Sequence, residues 1–267
     1  MITNNEFLRI VSFLKQRYGI DMSQKKVIMN GRLENYLRSG GWSSFDAYMN
    51  DVEKDESGEL EKMLVNFLTT NHTYFMREFG HFEFFKNVVL PWIKKKEERS
   101  KDMRIWCGAS STGEEPYMIA MVVNDFLGLE HKNWDARILA TDISTQVLSF
   151  AMAGVYDEEH LKKVPANWKR HFFNRRNDGS YVATDELKKE VIYRKFNLME
   201  PFPFRKKMHT IFLRNVMIYF DEATKRQVVQ KVYDALEPGG YLFIGMTETL
   251  DRSSTPFQLV QPSIFKK

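Results

Sequence analysis

The stretch Trp106-Cys107-Gly108-Ala109-Ser110-Ser111-Thr112-Gly113-Glu114-Glu115-Pro116-Tyr117 constrains this chain more than any other. A short β-type run, 103–107, leads into a turn of small residues, and the turn opens a helix that begins with two carboxylates and a proline. That order is how an α/β protein brings a ligand against the carboxyl end of a strand. Bare N–H groups at a helix start favour anions. Glu114 and Glu115 already place negative charge there, so a neutral or cationic ligand suits the spot better than a phosphate. The turn has Gly108 and Gly113 without GxGxxG spacing, and no Gly-Lys-Ser/Thr follows. Nicotinamide and nucleoside triphosphate chemistry are therefore disfavoured.

From residue 103 onward strand-like runs alternate with helical ones: 103–107, 114–127, 137–141, 144–153, then 191–196, 210–213, 221–236 and 241–245. Such alternation predicts βαβ units and a mostly parallel sheet. The runs 257–260 and 263–265, separated by Gln261-Pro262, predict a closing antiparallel pair. One stretch departs from the alternation. The segments 170–174 and 180–184 flank Asn177-Asp178-Gly179, a hairpin signal, so a small antiparallel excursion is expected there. The first ninety residues read instead as helices. Phe7, Ile10, Val11, Leu14 and Tyr18 form one apolar stripe that Gly19 can end. Further helices are marked by Leu33, Tyr36 and Leu37 before Gly40-Gly41, by Phe45, Tyr48, Met49 and Val52 after the cap Ser44, by Leu60, Met63, Leu64, Phe67 and Leu68, and by Phe82, Phe85, Val88, Val89 and Trp92. The run 94–99 reads as a solvated helix end or linker.

Asp142 ends the second strand of the α/β part, where an acid can accept hydrogen bonds from ribose hydroxyls; an acid there is also a common helix cap. In Leu236-Glu237-Pro238-Gly239-Gly240-Tyr241 a proline stops a helix and two glycines turn the chain into a strand. With the Gly113 turn and Asp142, this resembles the S-adenosylmethionine-dependent methyltransferase fold, whose cofactor is an adenosine with a sulfonium-bearing tail.

Four segments make the resemblance specific: 71–78 (Asn71-His72-Thr73-Tyr74-Phe75-Met76-Arg77-Glu78), 111–117, 140–144 and 214–220 (Arg214-Asn215-Val216-Met217-Ile218-Tyr219-Phe220). Their order and spacing over nearly the whole chain are similar to those of the chemotaxis receptor methyltransferases, the CheR family of protein-glutamate O-methyltransferases. The resemblance implies a class I, Rossmann-like α/β methyltransferase domain over 101–267, a β-subdomain at about 168–195, a linker helix over 76–100 and a receptor-docking helical domain over 1–75. It implies that Asn71, Thr73, Arg77, Glu115, Asp142, Asn197, Leu198, Arg214 and Asn215 contact S-adenosylmethionine, with S-adenosylhomocysteine as product. Arg77 and Tyr219 are expected at the methyl-transfer centre. The expected partners are the cytoplasmic helices of methyl-accepting receptors, docked by Lys25, Lys26, Arg32 and Arg38. Some family members also hold a receptor C-terminal peptide by strand addition, and the sequence leaves open whether this one does.

The charge distribution suits either a basic face for an acidic partner or a solvated helical surface. Residues 1–40 carry seven basic against three acidic side chains, and residues 41–70 carry two against seven. The overall charge of +4 is too modest to argue for nucleic acid. No apolar run approaches the roughly 18 residues a membrane span needs, and Glu6 and Arg9 interrupt the stretch where a signal peptide would lie. The single Cys107 fits a reducing cytosol. The six histidines show no ligand spacing, so no metal is expected. A monomer is expected. Two other readings stand beside the receptor enzyme: a methyltransferase for RNA or a small molecule, and an S-adenosylmethionine-binding sensor or scaffold without catalysis.

Overall fold

The computed structural model describes residues 1–251 and 253–267. Four helices come first: α1 Asn4–Tyr18, α2 Lys26–Ser39, α3 Phe45–Lys54 and α4 Glu59–Leu68. Thr3 and Glu6 cap α1 reciprocally, and Gly19 ends it at φ +70°. The Glu6 carboxylate also accepts from Phe45 N at 2.9 Å, so one side chain ties the starts of α1 and α3 together. Ile10, Leu14, Met29, Leu33, Tyr48, Met49 and Leu64 form the core of this unit.

Folding consumes much of the basic face expected over residues 1–40. Arg9 pairs with Asp46 and Glu53, Arg17 with Glu61 and Lys15 with Asp221. A second helical run follows as α5 Gly80–Phe84, a π-turn segment Phe85–Val89 and α6 Leu90–Lys96. The irregular segment precedes Pro91, which has no N–H to donate.

The α/β part proceeds as β1 Ile105–Gly108, α7 Glu114–Leu127, β2 Ile138–Asp142 and α8 Thr145–Ala153. An excursion follows: β3 Val155–Tyr156, α9 Ala166–Phe172, β4 Phe173–Arg175, β5 Tyr181–Ala183 and α10 Asp185–Lys189. The chain then returns through β6 Val191–Lys195, β7 Met208–Phe212, α11 Glu222–Ala235, β8 Leu236–Phe243, β9 Gln258–Gln261 and β10 Ile264–Lys266.

Seven strands lie in the order β6-β2-β1-β7-β8-β10-β9. The first five are parallel, while β10 runs antiparallel to both β8 and β9. From β1 the chain winds outward through β2 to β6, then returns to β7 on the other flank of β1. The strand order therefore reverses between β1 and β7, the place where such sheets open a crevice for ligands. One face packs Phe82, Phe85, Phe212 and Phe243 with the buried side of α7. The other packs Trp106, Ile211, Val228, Val232 and Leu242.

The excursion forms its own sheet, β3-β5-β4, all antiparallel. Its limits differ from 168–195. Val155–Tyr156 joins it from the N-terminal side, and Val191–Lys195 belongs to the main sheet. Arg170, His171 and Phe172 end a helix rather than start the hairpin strand. The Pro238-Gly239-Gly240 segment also differs from expectation: the strand begins at Leu236, before the proline, with a register shift against β7.

Candidate active site

The turn after β1 holds Ala109 at φ +56°, Ser111 at +49° and Gly113 at +96°. A β-carbon on Gly113 would stand 2.7 Å from the Ala151 β-carbon, so only glycine fits. Met76, Glu78 and Asn215 are also left-handed, which brings five of the seven such non-glycine residues among those described to one region. Strained backbone gathers where the surrounding structure over-determines it, and commonly at functional sites.

Asp142 closes β2 and is buried. Its carboxylate accepts from Ser111 N at 2.8 Å and Ser144 N at 2.9 Å. Burial pushes its carboxyl up, against the pull of those N–H groups. The Ser111 hydroxyl donates to the Asn71 carbonyl at 2.8 Å, joining the turn to the inter-domain segment.

Arg214 follows β7 and lies between two carboxylates, at 2.6 Å from Glu115 and 3.0 Å from Glu78. It also donates to the Arg77 carbonyl at 2.8 Å. Burial pushes Glu115 up and Arg214 opposes it. For Glu78 burial pushes up as well, but the Arg214 guanidinium, the Met246 N–H and His81 together hold the carboxyl below its usual range. The other Glu115 oxygen accepts from the Cys107 thiol, at 3.6 Å. Glu114 does not share this place. It is buried away from the crevice, bonded to Thr112, and its carboxyl is pushed up by burial. Of the two acids at the helix start, Glu115 alone faces the ligand side.

Arg77 donates to the His72 carbonyl at 2.9 Å and to Asn215 Oδ1 at 2.8 Å. The Tyr219 hydroxyl reaches the Thr70 carbonyl at 3.3 Å, and its own carbonyl accepts from Asp21 N at 2.8 Å. The Asn197 amide donates to the Arg17 carbonyl at 2.8 Å, and Leu198 is buried beside it. Asn71, Thr73, Arg77, Glu115, Asp142, Asn197, Leu198, Arg214, Asn215 and Tyr219 all line one cleft.

The helical unit supplies the facing wall, including Tyr18, Ile20, Met22 and Ile28, none of which carried a sequence signal for a site. Of the four expected docking cations, Lys25 and Arg32 line the cleft. Lys25 stands 5.1 Å over the Tyr219 ring. Arg32 donates to the carbonyls of Phe67, Leu68 and Thr69 and to the Thr70 hydroxyl, satisfying the end of α4. Lys26 and Arg38 lie outside the cleft, Lys26 bonded to Asn4 and Arg38 near Glu34.

Two carboxylates suit a ligand that carries an ammonium group and hydroxyl donors, and the buried Ser110 hydroxyl on this wall has no partner among the described residues. Ile143, Phe196 and Leu198 add an apolar surface for a ring. The residues present therefore fit S-adenosylmethionine. This sheet order and this crevice define a class I, Rossmann-like S-adenosylmethionine-dependent methyltransferase.

Comparison with known proteins narrows the class. Residues 5–69 match the CheR methyltransferase all-alpha domain, and residues 71–265 match the CheR methyltransferase SAM binding domain. The chain is 38% identical over 271 residues to the chemotaxis protein methyltransferase of Borreliella burgdorferi, covering 100% of this chain and 95% of the relative. It is 33% identical over 273 residues to that of Escherichia coli, covering 99% and 91%. The chain belongs to the CheR methyltransferase family, and S-adenosylmethionine is its cofactor. Among the described residues no helix is long and apolar enough to cross a membrane.

Proposed function

We propose that this chain methylates glutamate side-chain carboxylates of chemotaxis receptor helices, leaving 5-O-methyl esters and S-adenosylhomocysteine. The observation that carries the proposal is Arg77. Its guanidinium lines the cleft, and its hydrogen-bond partners are neutral oxygens, which leaves its positive charge for an incoming carboxylate.

When bound, the cofactor supplies a methyl group on a sulfonium. Glu115 would hold its ammonium end, Asp142 its ribose hydroxyls, and Asn71, Thr73, Asn197, Leu198 and Asn215 the surrounding wall. Arg214 keeps Glu115 in place. A substrate glutamate, with an ordinary pKa of about 4.3, arrives ionised at neutral pH, so no residue need remove a proton. Rate then comes from orientation, worth roughly 7–11 kcal/mol in well-aligned cases. Arg77 and Tyr219 supply that orientation at the cleft. Arg77→Ala is expected to abolish turnover; near-normal rate with intact cofactor affinity would remove it from this role.

Lys25, Lys26 and Arg38 remain as cations for an acidic receptor surface, whereas Arg32 is committed to α4. The small sheet leaves β4 at an edge, which suits a receptor C-terminal peptide as a second contact. The test is transfer of labelled methyl from S-adenosylmethionine to a purified receptor cytoplasmic domain, followed by mild alkali. Label released as methanol supports a carboxyl ester. Cofactor binding without transfer to any receptor overturns the proposal.

A further inference from the structure

We infer that Glu248 is a positioning residue for the methyl-transfer centre, acting from outside the cleft through Asn215. The inference rests on the function proposed above. Glu248 follows β8, is only 7% exposed and is not among the residues lining the cleft. Its Oε2 accepts from Gly245 N at 2.6 Å and Asn215 N at 2.7 Å. Its Oε1 accepts from Met217 N at 2.7 Å and Ile218 N at 3.3 Å. Three of these four donors lie in 215–218, the segment between Arg214 and Tyr219. One carboxylate therefore gathers the backbone that joins a cleft cation to a cleft tyrosine.

Two further observations show how tightly the gathering is specified. Asn215 sits in the left-handed region at φ +59°, and its backbone N–H is one of the bonded donors. Its side chain accepts from Arg77, so the position of Arg77 depends on the conformation that Glu248 stabilises. A β-carbon on Gly245 would lie 2.6 Å from Asn215 Oδ1, so the β8 turn and the Asn215 amide have no slack between them. Among the described residues every partner of the Glu248 carboxylate is a backbone donor. A carboxylate can accept all four bonds. An amide of the same shape presents its own N–H groups to at least one donor pair, which leaves buried donors facing each other.

The test is a double-mutant cycle with Glu248→Gln and Asn215→Ala in the full chain. Each protein is measured for kcat and receptor KM, for S-adenosylhomocysteine affinity by calorimetry, and for melting temperature. Misplacing a reacting group by about 1 Å costs on the order of 100-fold in rate. Glu248→Gln is therefore expected to lower kcat by about that factor with receptor KM little changed. The two substitutions together should lower kcat and cofactor-product affinity no further than the worse single one, because both act through Asn215. Glu248→Asp keeps the anion and should recover part of kcat.

Either of two results overturns the inference: kcat within about threefold of wild type in Glu248→Gln, or single effects that multiply in the double variant. If Glu248→Gln does not fold, Glu248→Asp replaces it in the cycle, and single effects that multiply in the double variant then overturn the inference. If wild type binds S-adenosylhomocysteine yet methylates no receptor, the proposed substrate fails. The affinity cycle then decides the role of Glu248 by itself.

Discussion

The two walls of the cleft are built on different physical terms. On the α/β wall, Asp142, Glu115 and Arg214 are held by charge partners and backbone N–H groups, beside a turn of left-handed residues. On the helical wall the cations touch softer partners: Lys25 lies over an aromatic ring and Arg32 meets carbonyl oxygens. The first wall is organised in advance for one small ligand. Beyond the second wall, outside the cleft, Lys26 and Arg38 lie near solvent, where they can meet a partner of variable shape. Preorganised charge is costly to disturb, and exposed charge is cheap to change.

The largest effect expected from that contrast is at Arg214. Arg214→Ala leaves Glu78 and Glu115 without their shared cation, which should cost about 3–5 kcal/mol of stability. Urea unfolding would measure it, and a loss below about 1 kcal/mol would break the contrast at its strongest point.

His81 comes next. It bonds Ser263 at 2.6 Å, and burial, then the Arg214 charge, push its pKa down to about 4, against the pull of Glu78. Its folded value lies below the unfolded one, so the unfolded chain binds the proton more readily. The stabilisation is present above about pH 6.5 and declines as pH falls toward 4, by about 1.6 kcal/mol between 6.5 and 5. Unfolding curves across that window should show the slope in wild type and a reduced slope in His81→Gln. Equal slopes would mean that His81 titrates normally.

Arg32→Ala should lower stability by about 1–2 kcal/mol through the end of α4, without a selective rise in receptor KM. A rise in KM with unchanged melting temperature would return Arg32 to the docking face. The smallest structural effect belongs to the Lys26→Glu and Arg38→Glu pair, within about 0.5 kcal/mol of wild type. Its receptor KM should still rise severalfold and depend on salt. Methylation equal to wild type would remove these residues from docking.

The α/β wall was the more legible in sequence, because its residues stand at strand ends within short motifs. Asp142 and Arg214 each follow a run that reads as a strand. Glu114 and Glu115 were harder to separate. Consecutive helical residues point about 100° apart, so one acid can face the cleft while the other is buried. Arg32 looked like a free cation because its acceptors lie 35 to 38 residues away. Glu97, inside a charged run that read as solvated, is bonded to Ser100 and His209; with Arg104 these outweigh burial and hold its carboxyl down at about 2. Glu248 left no periodic trace, since its partners are main-chain N–H groups that every sequence possesses.

The bond from Asn197 to the Arg17 carbonyl has a consequence for inheritance. The two family matches meet between residues 69 and 71, yet the cleft runs across that junction and draws its lining from both sides. A graft of the helical unit from a relative would therefore bring foreign counterparts of Tyr18, Ile20 and Met22 to the cleft. Recombination at this boundary exchanges one wall of the cleft, so the two modules are expected to travel between lineages as a pair.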